Sequence, residues 1–176
     1  IVMEDKYEVL KSENDGTIYY IKNSDFHRED GPAIEHINGT KEWFINGKRH
    51  RTDGPAVQNY NGYKSWFING IRHRENGPAL IWADGTKEWW VYGKRHRQNG
   101  PAVERENGTN MWYINGLRHR EDGPAMEWPD GTNVWYFNGL RHREDGPAVE
   151  RSDGLKEWWV DGNEITEKVE EWITFN

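Results

Sequence analysis

The feature that most constrains this chain is a repeat of 23 residues. Gly-Pro-Ala begins at Gly31, Gly54, Gly77, Gly100, Gly123 and Gly146, each 23 residues after the last. All 19 glycines fall into three columns of that period. One is the Gly-Pro-Ala set. The second is Gly16, Gly39, Gly62, Gly85, Gly108, Gly131 and Gly154, and the third is Gly47, Gly70, Gly93, Gly116, Gly139 and Gly162. Tryptophan keeps the same beat at Trp43, Trp66, Trp89, Trp112, Trp135 and Trp158, with Tyr20 in the equivalent place upstream. Six of the 7 histidines do likewise: His27, His50, His73, His96, His119 and His142. A short fixed period means that each unit is one supersecondary element, which buries its apolar surface against its neighbours. The other positions vary between units, as in an array that has drifted.

The local chemistry of a unit is that of β-hairpins. In Pro32–Asp53 two Asn-Gly pairs, at Asn38 and Asn46, separate segments rich in Ile, Trp and Phe. Asn-Gly suits the positive φ angles of a two-residue type I′ turn, and aromatic and β-branched side chains fit a pleated surface. Every other unit keeps Asn-Gly or Asp-Gly at both places, apart from Tyr92-Gly93. Reading Asn38-Gly39 as a two-residue turn sets Ile37 opposite Thr40, Ile34 opposite Trp43 and Pro32 opposite Ile45. Alternation along a strand then puts the Ile34 and Trp43 columns on one face. The same columns pair Val57 with Trp66, Leu80 with Trp89, Val103 with Trp112, Met126 with Trp135 and Val149 with Trp158, so this face is the expected core. The opposite face carries Phe44, Phe67, Trp90, Tyr113, Tyr136 and Trp159 among polar neighbours. It also sets Glu35 against Glu42, a mild repulsion that counts against this register. Two main strands per unit are expected, with a short third at Lys48–Arg51.

The ends depart from the middle, as terminal repeats do. Residues 7–30 read as a divergent N-terminal cap, 31–163 as the core repeats, and 164–176 as a C-terminal capping helix, all within a single array spanning 1–176. The helix is expected to lay Ile165, Val169, Trp172 and Ile173 on one face, with Thr166 as N-cap, and to cover the last sheet edge. Met3 is read as the native start. The expected fold is therefore all-β: tandem hairpins in an elongated single-layer antiparallel meander, roughly 60 Å long at about 4.8 Å per strand, closed by a short helix.

Composition narrows the function. The net charge is −7, which argues against nucleic acid and anionic membrane surfaces as partners, since both require a basic face. Cysteine is absent, which removes disulfides, thiolate metal sites and thiol catalysis. No apolar run has the length of a membrane span, and a cytoplasmic location is the default expectation. Hydrophobic residues make up only 34%, yet 11 tryptophans, 8 tyrosines and 5 phenylalanines are present. A few large rings bury much area in a thin structure.

The unit GTKEWFINGKRHRTDGPAVQNYNG, from Gly39 to Gly62, resembles a MORN repeat in its period, its aromatic before an Asn-Gly turn, its Lys-Arg-His segment and its following glycine and strand. The likeness covers Gly16 to Gly162. The family's glycine–aromatic–glycine pattern is replaced here by Arg-His-Arg…Asp-Gly-Pro-Ala, so the chain looks like a variant, closer to bacterial and viral MORN-like arrays. The resemblance implies an elongated twisted antiparallel sheet and a scaffolding or protein-binding role. The lipid binding attributed to some members sits poorly with the acidic balance.

Three constellations could carry function. The histidine column suggests a metal ladder, but equivalent residues in a meander with two strands per repeat lie about 10 Å apart, whereas zinc–nitrogen bonds are about 2 Å. A role within each repeat is expected instead, and no cofactor. The arginine columns, including Arg72, Arg95 and Arg118, form either a ligand stripe or partners for nearby acids such as Glu121 and Asp122. The second-face aromatics are either a contact row or are covered by arginine and lysine stems. Phosphate loops, serine elbows and zinc-protease motifs are all missing. The expectation is a non-enzymatic scaffold for protein–protein interaction or self-association, built on a core of Trp43, Trp66, Trp89, Trp112, Trp135 and Trp158. The alternative is a carbohydrate or nucleotide binder using Phe44, Phe67, Trp90, Tyr113, Tyr136 and Trp159 with Arg72, Arg95 and Arg118.

Overall fold

A computed structural model describes residues 6–175; Met3 lies outside them. The chain divides into two compact units. The first runs up to Gly85 and includes Trp89–Gly93, and the second takes Thr86–Glu88 and the residues from Lys94 onward. Both are antiparallel meanders of very short strands, and the described chain has one helix, Thr166–Phe175. No helix among the described residues is long and apolar enough to cross a membrane.

In the first unit the strands of the main sheet follow one another in chain order, apart from Asp25–Phe26, which pairs beside Ile18–Lys22. Glu8–Lys11 pairs with Ile18–Lys22, which pairs in turn with Ile34–Glu35. Ile34–Glu35 pairs with Lys41–Glu42, then Val57–Gln58, Lys64–Ser65 and Leu80–Ile81. The second unit repeats the scheme from Lys87–Glu88 through Val103–Glu104, Asn110–Met111, Met126–Glu127, Asn133–Val134 and Val149–Glu150 to Lys156–Glu157.

The register differs from the one read from the Asn-Gly pairs. Ile34 faces Glu42, and Glu35 faces Lys41; Ile34 does not face Trp43. The cause is the first turn. His36 C=O accepts the Gly39 N–H at 3.0 Å, and His36 N–H bonds to Thr40 C=O at 2.9 Å. Three residues therefore form the loop, with Gly39 at φ +89° in the left-handed position of a bulge. Asn38 does not take positive φ there; its Oδ1 accepts the Thr40 N–H at 2.9 Å. The extra loop residue slides one strand by a position and exchanges the Glu35–Glu42 repulsion for a Glu–Lys pair across the strands.

The second turn is the expected type I′. Asn46 and Gly47 have φ of 48° and 70°, and they join Phe44–Ile45 to Lys48–Arg49 with Phe44 opposite Arg49. Each repeat thus contributes a small hairpin beside the meander, with Trp43 as the joint. Trp43 N–H bonds to Ala56 C=O at 2.8 Å, and Trp43 C=O accepts His50 N–H at 3.1 Å. Successive hairpins are tied along their backbones, Arg51 N–H to Phe67 C=O at 3.1 Å and Gly70 N–H to Arg49 C=O at 2.8 Å.

The deepest positions are not the tryptophans. Ala33, Ala56, Ala79, Ala102, Ala125 and Ala148 are each 0% exposed, flanked by buried Ile34, Val57, Leu80, Val103, Met126 and Val149. Trp43, Trp66, Trp89, Trp112, Trp135 and Trp158 are half-buried. At the C-terminus, Ile165 C=O accepts the Val169 N–H at 3.2 Å, the first bond of the helix, which puts Ile165 at the N-cap position. Thr166 does not act as N-cap. Its hydroxyl accepts the Trp158 N–H at 3.1 Å and donates to Glu164 Oε1 at 2.9 Å. Ile165 and Val169 are half-buried, whereas Trp172 and Ile173 are exposed.

Candidate functional site

Two side-chain systems recur with the period, and each is built around an arginine column. The first starts at the Asp-Gly-Pro turn. In the second unit, Arg143 Nε donates to Asp145 at 2.8 Å, and its Nη1 donates to Pro147 C=O at 3.2 Å and to Glu150 at 3.0 Å. Its guanidinium lies over the Trp135 ring, 4.1 Å from the centroid. Arg120 makes the same bonds to Asp122, Pro124 and Glu127 over Trp112. In the first unit Arg51 holds Asp53 and Pro55 over Trp43, and Arg28 holds Asp30, Pro32 and Glu35 over Tyr20. Tyr20 therefore does the tryptophan's work in the first repeat.

A planar cation resting on a ring and pinned by carbonyl and carboxylates is a rigid clamp. Its hydrogen bond, and then its charge, hold the carboxyls of Asp53, Asp122 and Asp145 below the usual aspartate range. The clamp also crowds the glycine of Gly-Pro-Ala, while at Gly77 and Gly100 a φ of 130° and 129° favours glycine in its own right. A Cβ on Gly54 or Gly146 would stand 2.9 Å from Cζ of Arg51 or Arg143.

The histidines close the gap to the next repeat. The Asn69 N–H donates to His50 Nδ1 at 3.1 Å, and the same bond joins Asn46 to His27, Tyr92 to His73, Asn115 to His96, Asn138 to His119 and Asp161 to His142. Each of these N–H groups is the first of the following type I′ turn. At His27, His50 and His142 the same Nδ1 also stands 2.8, 2.9 and 2.9 Å from Asn46 Oδ1, Asn69 Oδ1 and Asp161 Oδ1, so whether it donates or accepts follows the ring's tautomer. The role is structural, and it reaches across the repeat boundary and not only within a repeat. Among the described residues no three of His, Asp or Glu converge as a metal site would need.

Between consecutive clamps lies a repeated cleft. One of about 510 Å³ in the first unit is lined by the Arg28–Pro32 turn, Trp43, Ile45 and the Arg51–Asp53 turn. Its equivalents in the second unit, about 820 Å³ and 1010 Å³, are lined by Arg97, Trp112, Ile114 and Asp122, and by Arg120, Trp135, Phe137 and Asp145. All three are open and acid-rimmed, and their aromatic floor already carries a guanidinium.

The second system is a ladder of rings and arginines, and it contains every candidate contact residue. In the first unit, Arg49 lies 5.5 Å from the Phe44 centroid and 5.8 Å from that of Phe67. Arg72 lies 5.2 Å from Phe67 and 5.1 Å from Trp90. In the second, Arg95 stands over Tyr113, Arg118 between Tyr113 and Tyr136, and Arg141 over Trp159. Tyr113 is buried and the other rings are half-buried. The alternation of cation and ring was legible only as two separate columns, because the i and i+5 positions meet through the turn pairing of Phe44 with Arg49. The Arg–Trp clamp is hidden in the sequence for a similar reason, because it joins Arg51 to Trp43 and Arg143 to Trp135 across a turn. Compared with known proteins, the chain matches no protein-family model, and no curated protein matches it.

Proposed function

We propose that this chain is a non-enzymatic, MORN-like repeat scaffold that mediates protein–protein interaction or self-association. The observation that carries the reading is the ring-and-arginine ladder, which recurs in both units from one repeat to the next. A surface that recurs at every repeat suits an extended partner, whereas catalysis needs one distinctive pocket. Arginine and aromatic side chains are also the residue types that dominate interface energetics. The alternative, a sugar or base stacked on these rings, is disfavoured because guanidinium groups already occupy positions over the ring faces.

The test is sedimentation and partner capture with the full chain and with a triple variant, Trp90→Ala, Tyr113→Ala and Tyr136→Ala. The expected result is loss of self-association or of capture, with the far-ultraviolet circular dichroism retained. A small molecule found bound in native mass measurement, and lost in the triple variant, refutes the scaffold reading.

A further inference from the structure

The ladder changes composition in the middle of the second unit. Seven residues before each ladder arginine lies a position that is polar at Glu42, Ser65 and Glu88 but apolar at Met111 and Val134. The polar residues neutralise or engage their arginines. Arg49 Nε and Nη2 both reach Glu42 Oε2, at 3.1 and 2.8 Å; Arg72 bonds to Ser65 Oγ at 3.2 Å; Arg95 bonds to Glu88 at 3.0 Å. Arg141, with Val134 in that place, turns to Glu157 at 3.4 Å. Arg118 has neither choice, because Met111 lies seven residues before it and Val134 is the equivalent residue of the next repeat. Both are buried. Its Nε donates to the uncharged Tyr113 hydroxyl at 3.2 Å. Among the described residues no carboxylate pairs with it; its polar neighbours are the hydroxyls of Tyr113 and Tyr136.

We infer that Arg118 is the anchor for a carboxylate side chain of an acidic partner segment. Two adjacent Nη groups form a flat fork that matches the two oxygens of a carboxylate. The fork is held in place by the Tyr113 hydroxyl and by the Tyr113 and Tyr136 rings, 5.9 and 5.3 Å from its Cζ. Partial burial leaves the charge less hydrated than on an open surface, so an incoming anion gains more there. One guanidinium on a chain of net charge −7 favours a single carboxylate over a phosphate dianion, which needs a broader basic field. The inference rests on the scaffold reading and adds the partner's chemistry.

The probe is a fluorescein-labelled peptide of alternating glutamate and alanine, titrated with the full chain and read by fluorescence anisotropy. A lysine–alanine peptide serves as control and inorganic phosphate as competitor. The variants are Arg118→Gln, Arg118→Lys and, as a charge-matched control at an exposed turn, Arg105→Gln. Binding is expected to weaken about ten-fold or more in Arg118→Gln, to fall less in Arg118→Lys, and to stay within about two-fold in Arg105→Gln. Equal losses in Arg105→Gln and Arg118→Gln overturn the assignment, as does displacement by phosphate at concentrations that match the peptide's own affinity. Absence of any glutamate-peptide binding also overturns it. The scaffold reading is judged separately, by the sedimentation and capture of the triple variant.

Discussion

If the clamp crowds the glycine, Gly146 and Arg143 must be energetically coupled, and a double-mutant cycle measures that coupling. Arg143→Ala removes a cation from the Trp135 face at 4.1 Å and a bond to Pro147 C=O at 3.2 Å. The first is worth about 1–2 kcal/mol when partly desolvated, and the second about 1 kcal/mol. The pairs with exposed Asp145 and half-exposed Glu150 add little. The expected cost is therefore about 2–3 kcal/mol. Gly146→Ala places a methyl group 2.9 Å from Cζ and 3.1 Å from Nε of Arg143. The guanidinium cannot yield without leaving the ring, so overpacking of about 1–2 kcal/mol is expected. In the Arg143→Ala background the methyl meets no guanidinium. The same Gly146→Ala change then becomes neutral or stabilising by about 0.4–1 kcal/mol, through the stiffer unfolded chain. The coupling is about 2 kcal/mol, well outside the additivity expected of independent sites. Urea unfolding followed by tryptophan fluorescence reads all four corners. An equal cost for Gly146→Ala in both backgrounds refutes the reasoning, because the backbone and not the arginine would then demand glycine.

Three further outcomes follow from the same geometry. Gly at the two turn columns separates their chemistry: Asn107→Gly loses the bond to the Thr109 N–H and costs about 1–2 kcal/mol, while Asn138→Gly, at φ 48°, changes stability by less than about 0.5 kcal/mol; thermal melts distinguish them. His119→Ala removes the acceptor of the Asn138 N–H, so that amide exchanges faster in hydrogen-exchange measurements while the Asn115 amide, held by His96, does not. The carboxyls of Asp53, Asp122 and Asp145 are lowered in the folded state. They contribute stability above the usual aspartate value of 3.8, and that stability is lost as pH falls through their depressed folded values. The midpoint temperature should therefore drop below about pH 4, and less steeply in Asp53→Asn, Asp122→Asn and Asp145→Asn combined; an unchanged slope contradicts the arginine pairing.

The period, the hairpins and the short third strand were open to reading because each rests on local chemistry. Asn46-Gly47 needs two positive φ angles, and only a few residues supply them. Asn38-Gly39 looked the same and is not. What separates them is the acceptor at Asn38 Oδ1 and the residue two places on, Thr40, whose N–H it satisfies. A trace of this is present in the sequence: the first column alternates freely between Asp and Asn, which are equal as acceptors, while the second favours Asn, which tolerates the left-handed region. The repulsion of Glu35 and Glu42 was a further sign that the register was one residue out. The half-burial of the tryptophans was not legible, since it depends on Arg51 and its equivalents lying over them, and a ring under a guanidinium has the same apolar character as a ring in a core. That Arg118 has no carboxylate beside it became visible only once the register showed which residues are its neighbours.

Each repeat hands its bonds forward, His50 to the turn of Asn69, and Thr40 Oγ1 to the Tyr60 N–H. The histidine place in the last repeat is taken by Ile165, which has no ring nitrogen to offer. The array is therefore directional, like a row of couplings with a hook at one end and an eye at the other. Excising one interior stretch of 23 residues would rejoin every hook to an equivalent eye, while a cut one residue longer or shorter would misalign them all. Such an array can gain or lose whole repeats without redesigning the joints between them.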